Sequence, residues 1–217
     1  MPEGGQTMKE YHKIQTVFKR DPDNKFKTLL FGQYAVPEFE YLEANQWRWT
    51  EKIDGTNIRV QLTKEDGLYF KGKTDRAQIP PFLLDKLNSI FLPKKEILDN
   101  TFDDDVCLYG EGYGAKIQKG GGNYRQDQGF VLFDVKIGDW WLQRKDVMDI
   151  AEKLDIDIVP IIGFGTLQEM IEDAREGFKS QWGDFIAEGI VATPLVELKA
   201  RNGQRVITKI KYKDFER

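Results

Sequence analysis

The sequence predicts an α+β protein, made mostly of antiparallel hairpins with a few inserted helices. Three observations predict it. Short apolar runs alternate with polar residues, as in Ile58, Val60 and Leu62, the period of a strand with one buried face. Tight-turn dipeptides, Asp66-Gly67 and Asn202-Gly203, separate such runs. Between them lie longer stretches with helical spacing and helix-start chemistry.

Taken in order, Met1 to Gln6 is polar and glycine-rich and is expected to fray. Tyr11 to Phe18 reads as a first strand, containing the single histidine, His12, and Asp21-Pro22-Asp23-Asn24 reads as a turn. Trp47 to Ile53 alternates until Gly55 breaks it, and the strand through Ile58, Val60 and Leu62 follows. Leu68 to Lys71 is predicted to pair back across Asp66-Gly67. Pro80-Pro81 opens a helix through Leu83, Leu87 and Phe91, which Pro93 is expected to end. Val106 to Gly110 and Phe130 to Val135 read as strands joined by a glycine-rich connection, Gly110 to Asn123. Arg144 to Leu154 reads as a helix, and Thr166-Leu167-Gln168-Glu169 is a capping box that opens another. Strands are then predicted at Gly189 to Ala192, Val196 to Ala200 and Arg205 to Tyr212.

A length of 217 residues suits one sizeable domain. With 40% hydrophobic and 12% aromatic residues the composition excludes a disordered chain. One cysteine, Cys107, cannot form an internal disulfide, which points to a reducing cytoplasm. No apolar run has the length of a membrane span, and the start lacks a signal-peptide core. The net charge of −4 would not draw nucleic acid to the molecule as a whole, yet the charge is uneven. Asp99 to Asp105 is acidic, whereas Lys199 to Arg217 is strongly basic, and a local basic surface can bind phosphate.

Glu51-Lys52-Ile53-Asp54-Gly55-Thr56-Asn57 is the stretch that packing explains least. It presents a lysine at a strand end, a rigid place from which to aim a side chain. For a lysine to act as a nucleophile near pH 8, its pKa of about 10.4 must fall by two to three, a cost of about 3–4 kcal/mol. Neighbouring acids oppose that fall. A divalent cation favours it, since a unit-charge pair about 4 Å apart at an effective dielectric of about 20 interacts by about 4 kcal/mol, and a double charge doubles this. A nucleophilic Lys52 therefore predicts dependence on metal and an anionic substrate. In the last strand Lys209 and Lys211 share one face, a spacing that a polyphosphate can use. Glu188 stands just before Gly189 and an apolar run, where an acid can face a cleft. Gly110-Glu111-Gly112-Tyr113-Gly114 is not followed by the helix a dinucleotide fingerprint needs, and no P-loop is present. With His12 alone, histidine triads and zinc sites are excluded.

Lys52-Ile53-Asp54-Gly55-Thr56-Asn57 resembles the K-x-D/H-G-x-N motif of the covalent nucleotidyltransferases, the polynucleotide ligases and mRNA capping enzymes. With Glu51 before it and Gly-Thr-Asn at its end, it is most similar to the ATP-dependent RNA ligases of the phage nick-sealing branch. Further motifs follow in the family's order. The resemblance implies that Arg76 contacts the adenylate phosphate, Glu111 the ribose, and Phe133 the base. It implies that Glu188 helps to place a metal, directly or through water, and that Lys209 and Lys211 hold the α-phosphate. Glu51 and Asn57 complete the implied nucleotide-binding set. The similarity spans Glu51 to Phe215.

The implied fold is an adenylation domain over 1–217 with the nucleotide in a cleft between sheets and no C-terminal accessory domain. The implied reaction is RNA ligation with ATP as AMP donor and Mg²⁺ or Mn²⁺. Lys52 takes AMP, passes it to a 5′-phosphate, and a 3′-hydroxyl seals the strand. RNA, as a nicked duplex or a DNA/RNA hybrid, is the implied partner of a monomer in the cytoplasm, the host's if phage-encoded. Asp54 stands where the nick-sealing branch has histidine, so a role for that histidine does not carry over. Two other readings use the same residues: a capping-type guanylyltransferase using GTP, and a nucleotide- or nucleic-acid-binding module without turnover.

Overall fold

Alternation along the sequence becomes strand pairing in the computed structural model, which describes residues 10–215. The expected fraying of Met1 to Gln6 lies outside the described residues. In chain order the elements begin with β1 (Gln15–Thr16), β2 (Phe18–Arg20), β3 (Leu29–Tyr34), α1 (Pro37–Tyr41) and β4 (Trp47–Glu51). Next come β5 (Thr56–Thr63), β6 (Gly67–Lys71), α2 (Pro81–Phe91), α3 (Lys95–Thr101), β7 (Val106–Gly114) and α4 (Gly121–Tyr124). They continue with β8 (Gln128–Ile137), β9 (Trp140–Trp141), α5 (Arg144–Lys153), β10 (Asp157–Ile158) and β11 (Ile161–Gly165). The last are α6 (Leu167–Glu176), β12 (Gly189–Pro194) and β13 (Thr208–Lys211). The class is α+β, with antiparallel pairing except between β1 and β13 and between β8 and β10. The chain forms two compact units, one built on Asp54–Val159 and the other on His12–Ile53 with Pro160–Arg217.

In the Asp54–Val159 unit the strand order is β10-β8-β7-β5-β6, with β9 on β8. Period-2 alternation gives the sheet two different faces. Ile58, Val60, Val106, Leu108, Phe130 and Leu132 lie in one core, packed with Leu83, Leu87 and Phe91 of α2 and with Val147, Ile150 and Ala151 of α5. On the opposite face Asn57, Arg59 and Gln61 stand across from Glu111, Tyr109 and Cys107, and Tyr109 and Cys107 stand across from Asp134 and Lys136. A buried guanidinium is costly unless paired. Arg59, fully buried, donates from Nε to the Gly72 carbonyl at 2.9 Å and pairs with Asp75 at 2.8 Å. That pairing holds the Asp75 carboxyl below its ordinary range and fixes the loop that leads to Arg76.

Of the expected connection from Gly110 to Asn123, Gly110 to Gly114 is strand instead, because β7 continues to Gly114 between β5 and β8, and the glycine-rich connection begins only after it. A side chain at Gly110 would begin 2.2 Å from the Phe130 ring. The glycine makes room for core packing rather than for a turn. Pro93 does not stop the helical run either. It sits at the start of a short 3₁₀ turn, Leu92–Lys94, after which α3 continues, since proline is tolerated in a first turn.

In the other unit the order is β1-β13-β12-β4-β11, with β2 and β3 as a separate pair. Trp47, Trp49, Ile190, Ala192 and Ile210 form a core with Leu167, Met170, Ile171 and Ala174 of α6. The predicted capping box is present: Glu169 N donates to Thr166 Oγ1 at 3.2 Å and Thr166 N to Glu169 Oε2 at 2.7 Å, an arrangement that stabilises a helix start by about 1 kcal/mol. Three expectations change here. The stretch Tyr11 to Phe18 is not one strand: His12 lies in irregular chain, β1 pairs with β13, and β2 turns to β3. The strand expected at Val196 to Ala200 shrinks to a single bridge, Lys199 to Arg205, because Leu195 and Val196 are exposed and little apolar face is buried. Of Arg205 to Tyr212 only Thr208–Lys211 is strand, and Tyr212–Asp214 closes as a 3₁₀ turn.

Candidate active site

Lys52 is placed by the strand that precedes it. On β4, Trp47, Trp49 and Glu51 are buried while Arg48 and Thr50 alternate with them, so Lys52 falls on the parity away from the core. Its backbone N–H donates to Gly189 O at 2.9 Å, and Gly189 is in register with Lys211. Lys52, Gly189 and Lys211 thus form a row across the sheet, with Val191 pairing Thr50 and Lys209 in the next row. Glycine is needed in the middle: at φ +156°, a side chain on Gly189 would begin 2.2 Å from Ile210 O.

Glu188 joins the two lysines of that row. Lys52 Nζ donates to Glu188 Oε2 at 2.7 Å, and Lys211 Nζ lies 2.5 Å from Oε1. All three side chains are largely shielded, with exposures of 19%, 20% and 11% for Lys52, Lys211 and Glu188. Lys52 Nζ also donates to Ile53 O at 3.3 Å. The arrangement sets the Lys52 amino group against a carboxylate. A cation that takes Glu188 would weaken that pairing, whereas drawing Lys211 away would leave the carboxylate to Lys52 alone.

Glu51 is turned the other way. It is 1% exposed, its Oε1 accepts from Ser180 Oγ at 2.5 Å, and its Oε2 accepts from Gln181 N at 2.8 Å. Burial raises its pKa, against the lowering effect of those two hydrogen bonds. Its carboxylate anchors the 180–181 segment beside the strand end that carries Lys52. Glu51→Ala is expected to cost about 2–3 kcal/mol by leaving both donors without an acceptor, read as a fall in melting temperature. Glu51→Gln, which keeps one acceptor, is expected to cost less. Because the folded pKa is raised, the group's stabilising contribution is complete below the unfolded value of about 4.3 and is lost as pH rises through the folded value. Stability of Glu51→Gln should therefore be flatter than wild type just above pH 4.3.

The structure brings Lys52, Glu188 and Lys211 together, with Lys209 in the adjacent row. Between Ile53 and Asp54 the chain passes into the other unit, which holds Asn57, Arg76, Glu111 and Phe133. There Asn57 and Glu111 stand opposite each other on β5 and β7. Asn57 Oδ1 is buried and has no hydrogen-bond partner among the described residues. Phe133 lies on β8 and meets the Tyr11 ring edge-on at 5.1 Å between centroids. Arg76 is exposed. Sequence reasoning missed Arg59, Ser180 and Gln181. Arg59 shares the parity of Asn57 along β5, which was the available signal. Ser180 and Gln181 are about 130 residues from Glu51 and left none.

Among the described residues no helix is long and apolar enough to cross a membrane. The sequence matches no curated protein. Among solved structures, Naegleria gruberi RNA ligase with PPi aligns at a TM-score of 0.65 and 18% identity, covering 98% of this chain and 60% of that one. A mutant of the same ligase with AMP and Mn gives 0.64 at 18% identity, covering 98% and 60%. Another mutant, with ATP and Mn, gives 0.64 at 18%, covering 98% and 59%. At such identity the likeness shows the fold, and this chain spans about six-tenths of the length of those proteins. A family model described as RNA ligase matches residues 45–211, from the start of the Lys52 strand to Lys211. The chain belongs to the RNA ligase family.

Proposed function

We propose that the protein is an ATP-dependent RNA ligase that works through AMP held covalently on Lys52. The observation that carries this reading is the row of Lys52 and Lys211 around Glu188, on the side of the sheet away from the core. The neutral Lys52 amine, having given up a proton, attacks the α-phosphorus of ATP. The bond from phosphorus to the bridging oxygen breaks, pyrophosphate leaves, and a phosphoramidate remains. A 5′-phosphate oxygen then displaces Lys52 to give a 5′-adenylated strand, and a 3′-hydroxyl displaces AMP to close the phosphodiester. Lys209 and Lys211 offset charge on the α-phosphate through both transfers. In this reading Asn57 and Glu111 receive the sugar, Phe133 the base and Arg76 a phosphate, roles that rest on motif order and on the unpartnered Asn57 acceptor.

Among the described residues no three metal-binding side chains cluster. A magnesium or manganese ion would therefore rest on Glu188 and on phosphate oxygens, the donor set magnesium commonly uses beside polyphosphates. Bound there it would supply positive charge that disfavours the Lys52 ammonium. One chain supplies every residue named, so a monomer suffices, and the buried free thiol of Cys107 suits a reducing cytoplasm. A nicked RNA duplex bearing a 5′-phosphate tests the proposal. Joining is expected with ATP and a divalent cation and is expected to stop with a chelator. Transfer of label from GTP instead of ATP would favour a capping enzyme, and adenylation without joining of any end would remove the ligase reading.

A further inference from the structure

A cavity of about 920 Å³ lies in the unit that carries Lys52. Lys13, Lys19, Arg20 and Lys27 line it from the N-terminal side, and Lys209, Lys211 and Lys213 from β13 and the turn after it. Asp214 is the one acid in the lining. It is already engaged, pairing with Arg20 at 2.8 Å and accepting from Lys211 N at 3.1 Å. Arg20 pairs with Asp214 and Lys211 with Glu188, but the exposed Lys13, Lys19, Lys27 and Lys213 around the same cavity still make a positive locality in a chain of net charge −4.

A nucleoside triphosphate held on Lys209 and Lys211 does not need so many further cations. Lys13, Lys19, Lys27 and Lys213 are exposed, whereas Lys209 and Lys211 are half-buried. Phe26, also in the lining, is 61% exposed. Exposed aromatics among spaced cations are the surface that a single-stranded polynucleotide uses, its phosphates on the lysines and a base on the ring.

We infer that the N-terminal stretch from Lys13 to Lys27 is a polynucleotide-binding surface that leads a strand along its phosphates toward Lys211. For the strand's identity as RNA this rests on the ligase reading. Lys13, Lys19 and Lys27 bind successive phosphates, and Phe26 stacks on an unpaired base. The acceptor strand is thereby gripped within the same unit that holds the nucleophile.

The test is fluorescence anisotropy with a labelled 5′-phosphorylated RNA across a salt series, using the full chain. For the triple variant Lys13→Ala, Lys19→Ala and Lys27→Ala, the slope of log affinity against log salt is expected to shrink by about 2, and affinity to fall about tenfold or more. Phe26→Ala is expected to weaken binding by about fivefold or more with the slope unchanged. Melting temperatures and covalent labelling by ATP should stay at wild-type levels in both variants. RNA affinity and slope unchanged in the triple variant would overturn the inference, as would a wild type that binds no RNA. Loss of ATP labelling in step with RNA binding would assign the cavity to the triphosphate and overturn it too. If wild type takes no AMP yet the triple variant loses RNA, the ligase reading fails and the surface stands.

Discussion

Lys52→Ala is expected to leave no covalent AMP on the protein, while a strand that already carries a 5′-adenylate is still sealed. Lys52 is the nucleophile of the first transfer and the leaving group of the second, so only those two steps depend on its amine. Labelling should fall by at least about 10⁴. Lys52→Arg separates chemistry from structure. A guanidinium keeps the charge that pairs with Glu188 but stays protonated at any working pH. It should melt like wild type and label no better than alanine. Appreciable labelling in either variant would mean that AMP attaches elsewhere.

Removing Glu188 should have the next largest effect. Two ammonium groups share this one carboxylate, at 2.7 and 2.5 Å. At an effective dielectric of about 20, a unit pair 2.7 Å apart attracts by about 6 kcal/mol, and desolvation offsets much of that. Glu188→Ala leaves Lys52 and Lys211 facing each other without the carboxylate, so the lysine row loses its geometry. Labelling at saturating ATP and metal is expected to fall by about 10²–10³. Glu188→Gln, which keeps the size and one acceptor oxygen, should recover the melting temperature but not the rate. Wild-type labelling by both variants would reduce Glu188 to a surface acid.

Much of this was written locally. The alternation that puts Lys209 and Lys211 on one side of β13 needs only four consecutive residues, and the capping box of α6 only four more. The same alternation read along β4 shows Glu51 sharing parity with Trp47 and Trp49, hence a buried anchor rather than a group beside the nucleophile's amine. What the sequence could not show are the cross-strand rows. Lys52 and Glu188 meet across 136 positions, a pairing fixed by the register of β4, β12 and β13. The glycines of β7 hid a strand because their lack of side chains serves Phe130 and Leu83 across the core. The segment from Lys13 to Lys27 read as the end of a first strand and the turn after it, and its charge gained meaning only when β1 paired with β13 and brought Lys13 and Lys19 to the cavity that Lys209 lines.

The most direct test of the central claim is to incubate the wild-type protein with ATP and magnesium, denature and digest it, and locate AMP by mass spectrometry. The account predicts one AMP, on the peptide containing Lys52, labile to acid as a phosphoramidate is. AMP on another residue, GMP in its place when both nucleotides are offered, or no adduct at all would contradict it.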